Sequence, residues 1–200
     1  MKAIAALYVE TDGVYYNLPG VDPWDEQRDA RLYDGPHPVV AHPPCQRWGR
    51  YWSGGPSAKI RRLRGDDEGC FAAALWAVRT FGGVIEHPEA SSAWDWFGLY
   101  RPPKPGQWVP ADRWGYTCCV DQGHYGHRAR KATWLYLVGI TNLPALKWGQ
   151  ARGCFLRMDD GFHSAEERRT TTERMGRRER MATPIPFRDL LISIARECNP

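Results

Sequence analysis

The sequence predicts an α/β fold: a mostly parallel sheet, closed by a C-terminal antiparallel hairpin and flanked by helices. Three observations predict it. Two short apolar runs, Val39-Val40-Ala41 and Val84-Ile85, each stop at a polar residue and a proline (His42-Pro43 and Glu86-His87-Pro88). Between them Cys70, Phe71, Ala74, Leu75 and Val78 recur at helical spacing. Strand, helix and strand in that order make a βαβ unit, whose right-handed crossover sends both strand ends to one edge of the sheet. Residues 116–120 and 133–138 are apolar strands separated by a glycine-rich connection, which reads as a hairpin. Phe187, Leu190, Leu191 and Ile194 keep the spacing of an amphipathic helix that docks on the sheet.

The remaining elements follow in order. Residues 2–9 read as a buried first strand, and Thr11-Asp12-Gly13 as a turn. The stretch up to residue 38 has room for one small strand. Asp66 is the expected N-cap of the first helix, and Gly82-Gly83 its end. Residues 91–99 suggest a short helix. Four prolines make residues 101–112 a long loop. Residues 141–182 read as an irregular, Arg/Glu-rich insertion within a single domain spanning residues 1–200.

Composition narrows the class. A chain of 200 residues makes one ordinary domain. Its 42% hydrophobic and 25% charged residues are those of a soluble globular protein. No apolar run approaches the roughly 20 residues that a bilayer needs. Residues 1–7 are too short for a signal peptide before Glu10 and Asp12 intervene. The six cysteines include no CxxC pair, so reduced thiols in a cytoplasmic protein are expected. The net charge of +4 is modest, but the basic residues cluster. Arg47, Trp48, Arg50, Tyr51, Trp52, Lys59, Arg61 and Arg62 form a basic, aromatic, glycine-bearing surface loop suited to the phosphates and bases of DNA, with a solvated basic face and tryptophans that anchor core or loop as the plainer alternatives.

One cysteine is placed for chemistry. Cys45 follows Pro43-Pro44, which lack backbone donors and fix their own φ, so the strand ends there and the sulfur is held at its carboxyl edge. In open α/β sheets ligands bind at that edge. Glu86 ends the partner strand, and the βαβ rule directs both groups toward one pocket. A buried structural cysteine and a structural Glu86–arginine ion pair are the plainer alternatives. His42, His87, His124 and His127 also allow a metal site, although no pair has the usual ligand spacing.

Four pieces, in order, resemble the cytosine-C5 DNA methyltransferases. Ala41-His42-Pro43-Pro44-Cys45-Gln46 is similar to their Pro-Pro-Cys-Gln loop, Gly83-Val84-Ile85-Glu86-His87 to their Glu-Asn-Val strand end, residues 125–131 to their Gln-x-Arg-x-Arg segment, and Thr183-Pro184-Ile185-Pro186-Phe187 to their closing Pro-x-Pro helix. The resemblance implies a Rossmann-like (class I methyltransferase-like) domain of the minimal sort carried by phages and prophages in a bacterial host. It implies Cys45 as nucleophile on cytosine C6, Glu86 as the group that holds the base, and Arg128, Arg130 or Lys131 as the cation that places the base and lowers the thiol pKa. S-adenosylmethionine is the implied donor, with Tyr8, Asp22, Asp29 and Pro43 as its contacts. The chain departs from the family where Glu10 and Asp12 replace glycines of the cofactor loop, where His87 replaces the asparagine, and where the segment's glutamine is missing. Almost nothing remains for target recognition, which a separate subunit would supply. A different donor, or a non-catalytic DNA-binding or antirestriction protein on the same scaffold, are the rival expectations.

Overall fold

The structure is a computed structural model that describes residues 1–49, 51–54, 59–60, 62–104, 106–153 and 175–199. Seven strands form one sheet: β1 (Ile4–Leu7), β2 (Val21–Trp24), β3 (Val39–Ala41), β4 (Gly83–Pro88), β5 (Val109–Pro110), β6 (Gly115–Asp121) and β7 (Ala132–Val138). Their order is β2-β1-β3-β4-β7-β6-β5. The helices are α1 (Cys70–Phe81), α2 (Ala93–Trp96), α3 (Arg177–Met181) and α4 (Ile185–Glu197), with 3-10 turns at Ala30–Leu32 and Gln122–Tyr125.

The α/β class and the antiparallel hairpin agree with the sequence. The sheet, however, is mixed rather than mostly parallel. β1–β4 pair in parallel, but β7 inserts between β4 and β6 and pairs antiparallel with both along its length, and β5 adds a further antiparallel edge. The two ladders of β7 are the longest in the sheet. Directions still follow a simple rule: β1–β4 and β6 run one way, β7 and β5 the other.

Alternation along the strands builds two cores. Ala5, Leu7, Val39, Ala41 and Ile85 face α1, packing with Phe71, Ala74, Leu75 and Val78. Ile4, Ala6, Val40 and Val84 face α4, packing with Phe187, Leu191, Ile194 and Ala195. The pleat period of two therefore separates the layers. Gly83 starts β4 at φ +127°, where a Cβ would lie 2.0 Å from the Val39 carbonyl oxygen. Only glycine lets β3 and β4 close at that point.

Three local expectations are corrected. Asp67, not Asp66, serves the start of α1: its carboxylate accepts from the Gly69 and Phe71 amides at 3.0 and 2.9 Å. His87-Pro88 does not end β4, because the antiparallel ladder with β7 runs on through Pro88↔Thr133; only the parallel ladder with β3 stops at Ile85. β5 lies in the stretch expected to be loop throughout. Of the expected 141–182 insertion, residues 154–174 lie outside the described residues, and α3 occupies its end.

Candidate functional site

The parallel register decides what meets at the sheet edge. Ala41 pairs with Ile85, so the next residues, His42 and Glu86, emerge side by side. His42 is still anchored to the sheet, its amide donating to the Leu7 carbonyl at 3.0 Å. Its Nδ1 lies 2.9 Å from Glu86 Oε2, and its Nε2 lies 2.8 Å from the Tyr15 hydroxyl. On the other side Gln122 Nε2 donates to Glu86 Oε1 at 3.1 Å and to Thr133 Oγ1 at 2.8 Å. Glu86 is thus held at both oxygens, by His42 just after β3 and Gln122 in the turn after β6, with Tyr15 of the β1–β2 loop behind His42.

A cavity of about 740 Å³ opens over these strand tips. Its wall includes Tyr8 and Tyr15 from the segment after β1, Pro43 and Cys45 after β3, Glu86 and His87 from β4, Lys131, and Arg178 with Thr183 beside α4. The order of strands reverses between β1 and β3, since β2 lies on one side of β1 and β3 on the other. That crevice is the ligand-binding position of open α/β sheets.

The Cys45 loop is fixed at both ends. Upstream, His42 is tied to the sheet. Downstream, the Cys45 carbonyl accepts from the Trp48 and Gly49 amides, and the Trp48 carbonyl accepts from Ser92. Trp48 itself is 2% exposed, donates from its indole to Asp67 at 2.8 Å and packs on Phe71 and Phe97. Lys131 is fixed in a similar way: its amide donates to buried Asp121, and its carbonyl accepts from Gln122. Arg188 of α4 donates to the Val14 carbonyl, pinning the β1–β2 loop over the cavity.

Charge is distributed unequally. Burial pushes the Glu86 carboxyl up, but the hydrogen bond and charge of His42, with the charge of Lys131, outweigh it and bring the group down to about 2. Burial holds the His87 imidazole down at about 4, where it packs neutral against Phe71 and Trp94. Burial and the Glu86 charge push the Cys45 thiol up, and Lys131 only partly opposes them. Of the cations expected to lower the thiol, Lys131 acts in that direction and is outweighed. Lys131 alone of the three lines the cavity. Arg128 bridges Glu179 at 2.8 Å and Arg130 reaches Gln150 at 3.3 Å, both exposed.

The chain matches no protein-family model, no curated protein and no solved structure.

The residues expected to hold S-adenosylmethionine divide. Tyr8 and Pro43 line the cavity, but Asp22 is tied to Arg28 and the Trp24 indole, and Asp29 to Arg31. Asp25, directly after β2, accepts from Thr11, Tyr16 and two backbone amides. The carboxylates near the β2 tip thus already hold partners within the chain. At the β1 tip, Glu10 and Asp12 put two acidic side chains in the cavity wall where a close backbone approach is needed.

The expected DNA loop divides. Trp48 is a core anchor, so its ring has no face to offer a base. Tyr51, Lys59 and Arg62 are exposed, Trp52 stacks under Arg64 at 5.1 Å, and Arg47 donates to the Trp52 carbonyl. Arg50 and Arg61 lie outside the described residues. The four histidines weighed as metal ligands are dispersed: His124 and His127 bond to the carbonyls of Gly149 and Ala129, away from His42 and His87. No metal-competent group of three or more ligands is gathered among the described residues. No helix among them is long and apolar enough to cross a membrane.

Sequence reasoning missed Tyr15 and Gln122 and gave His42 only a metal role. A signal for His42 existed: aligning the two apolar runs by their ends sets it beside Glu86. Gln122 lies outside the arginine segment that was searched for a glutamine, and only the hairpin turn brings it back.

Proposed function

We propose that this chain modifies DNA at cytosine C5 through a Cys45 nucleophile, on a scaffold similar to that of the cytosine-C5 methyltransferases. One observation carries the reading: Cys45 and Glu86, from the tips of neighbouring strands, line the same cavity with Lys131. Cytosine C5 is a poor nucleophile. Bonding of Cys45 Sγ to C6 turns the ring into an enamine and makes C5 reactive. Glu86 holds the N3/N4 edge of the ring, and Lys131 offsets the negative charge of the approaching thiolate. The base reaches this recess from a single strand or flipped from a duplex, at a cost of a few kcal/mol. Exposed Tyr51, Lys59 and Arg62 serve the strand outside the cavity.

A second reading concerns the donor. Glu10 and Asp12 in the wall favour an electrophile other than S-adenosylmethionine, and activation of the ring by Cys45 is common to both versions. The test is therefore donor-independent. A single-stranded oligonucleotide carrying 5-azacytosine is incubated with the protein, since an adduct at C6 of that ring takes a proton at position 5 and persists. The expected result is a covalent complex with wild type that maps to Cys45 and is lost in Cys45→Ser. Equal complex formation by Cys45→Ser overturns the proposal.

A further inference from the structure

We propose that His42 is a specificity-determining residue: together with Gln122 it keeps Glu86 an acceptor-only edge of the cavity, and so selects an amino pyrimidine over a keto pyrimidine. The inference rests on the reading of Cys45 and Glu86 given above and adds to it the choice of ring.

The geometry is a clamp. His42 Nδ1 and Gln122 Nε2 reach opposite oxygens of the carboxylate, at 2.9 and 3.1 Å. An ionised carboxylate only accepts, so His42 carries its hydrogen on Nδ1. Its Nε2 lies 2.8 Å from the Tyr15 hydroxyl, and Tyr15, 3% exposed, holds the ring in that orientation. Lys131 is the further cation whose charge favours the ionised form of Glu86, and His87 beside it on β4 is held neutral by burial.

Two acceptor oxygens match one kind of ring edge. Cytosine protonated at N3 offers N3–H and N4–H, one donor for each oxygen. When the Cys45 thiolate adds, the S–C6 bond forms and the C5=C6 pair moves to C4–C5. The positive charge of the N3-protonated ring is neutralised; the thiol gives its proton to water and water gives one to N3, so the net transfer is from Sγ to N3. Uracil offers N3–H but sets O4 against the second oxygen, acceptor against acceptor. A protonated Glu86 would accept from N3–H and donate to O4, and would suit uracil as well as cytosine. The clamp on Glu86 therefore decides between the rings. Sites that leave a buried polar group unpaired with the wrong substrate reject it by large factors.

The test is exchange of the C5 hydrogen in deuterated water. The adduct takes deuterium at C5, loses the original proton and expels Cys45, so exchange needs no donor. Single-stranded oligonucleotides with one dC or one dU are compared by mass spectrometry. Wild type is expected to exchange dC at least about 100-fold faster than dU. In His42→Leu that ratio falls at least about tenfold, whereas His42→Asn, whose amide can replace the Nδ1 donor, stays near wild type. The ratio of two substrates is insensitive to the fraction of folded protein. Should His42→Leu fail to fold, Tyr15→Phe carries the test, with a fall of at least about threefold. An unchanged ratio in the folded variants overturns the inference while leaving the Cys45 chemistry standing. No exchange of either ring by wild type overturns both.

Discussion

His42 and Glu86 stand side by side because the residues before them, Ala41 and Ile85, are register partners, and the resulting 2.9 Å contact joins the tips of β3 and β4. The contact is both structural and electrostatic. Its side chains are only 13% and 11% exposed, so the pair is screened little by solvent.

Acid should weaken the fold through this contact. The folded Glu86 group is depressed to about 2 from 4.5. Its contribution is complete above pH 4.5 and is lost as pH falls from there through the folded value. The full loss amounts to about 3 kcal/mol at one pKa unit per 1.4 kcal/mol. Urea melts between pH 7 and 3 should show wild type losing more stability than Glu86→Gln. Parallel curves for the two proteins would contradict this.

Cys45 should be a slow thiol at neutral pH. Its group is raised by burial and then by the Glu86 charge, with Lys131 pulling the other way. Alkylation of Cys45, followed by peptide mapping, should accelerate above pH 9, speed up at pH 8 in Glu86→Gln and slow down in Lys131→Ala. The opposite order would show that the charges act otherwise.

The register can be attacked without touching the site. Gly83→Ala places a Cβ 2.0 Å from the Val39 carbonyl oxygen at a positive φ. It should separate β3 from β4, unfold the protein or cost more than about 4 kcal/mol. A variant with wild-type stability would mean that the two strands do not close at Gly83.

Trp48 and Tyr51 should separate stability from DNA binding. Trp48→Ala empties a core position and should cost about 3–5 kcal/mol. Tyr51→Ala, at a 55% exposed position, should leave the melting curve unchanged and weaken binding to single-stranded DNA. A stable Trp48→Ala with lost DNA affinity would reverse the two roles.

These two aromatics also show where the sequence was legible. Both sit in one basic, glycine-bearing stretch, and nothing local distinguishes the ring that Asp67 draws into the core from the ring left outside. Long-range partners decide it. The strands around Val39 and Val84 and the helices around Phe71 and Leu191 could be read because apolar spacing and Gly or Pro breaks are local signals. β2 was harder, since Asp22 and Pro23 occupy a half-buried edge strand with no alternation. The meeting of Cys45 with Glu86 followed from βαβ handedness. The clamp of His42, Tyr15 and Gln122 did not, because it depends on register and on a hairpin that returns from residues 115–138. The rise of the Cys45 thiol was not legible for a related reason: it depends on burial of the sulfur and on Glu86 facing the same cavity.

Titration with S-adenosylmethionine gives a further expectation. Asp22, Asp25 and Asp29 are committed within the chain, and Glu10 and Asp12 line the cavity, so calorimetry should detect no binding in the micromolar range. A saturable micromolar isotherm would contradict the assignment of the β1 tip.

The most direct measurement is a crystal structure of wild type covalently trapped on a single strand bearing 5-azacytosine. The account predicts continuous density from Cys45 Sγ to C6, with the Glu86 carboxylate on the N3/N4 edge and the His42 contact retained. A ring bound outside the cavity, or a Glu86 turned away from its edge, would contradict it.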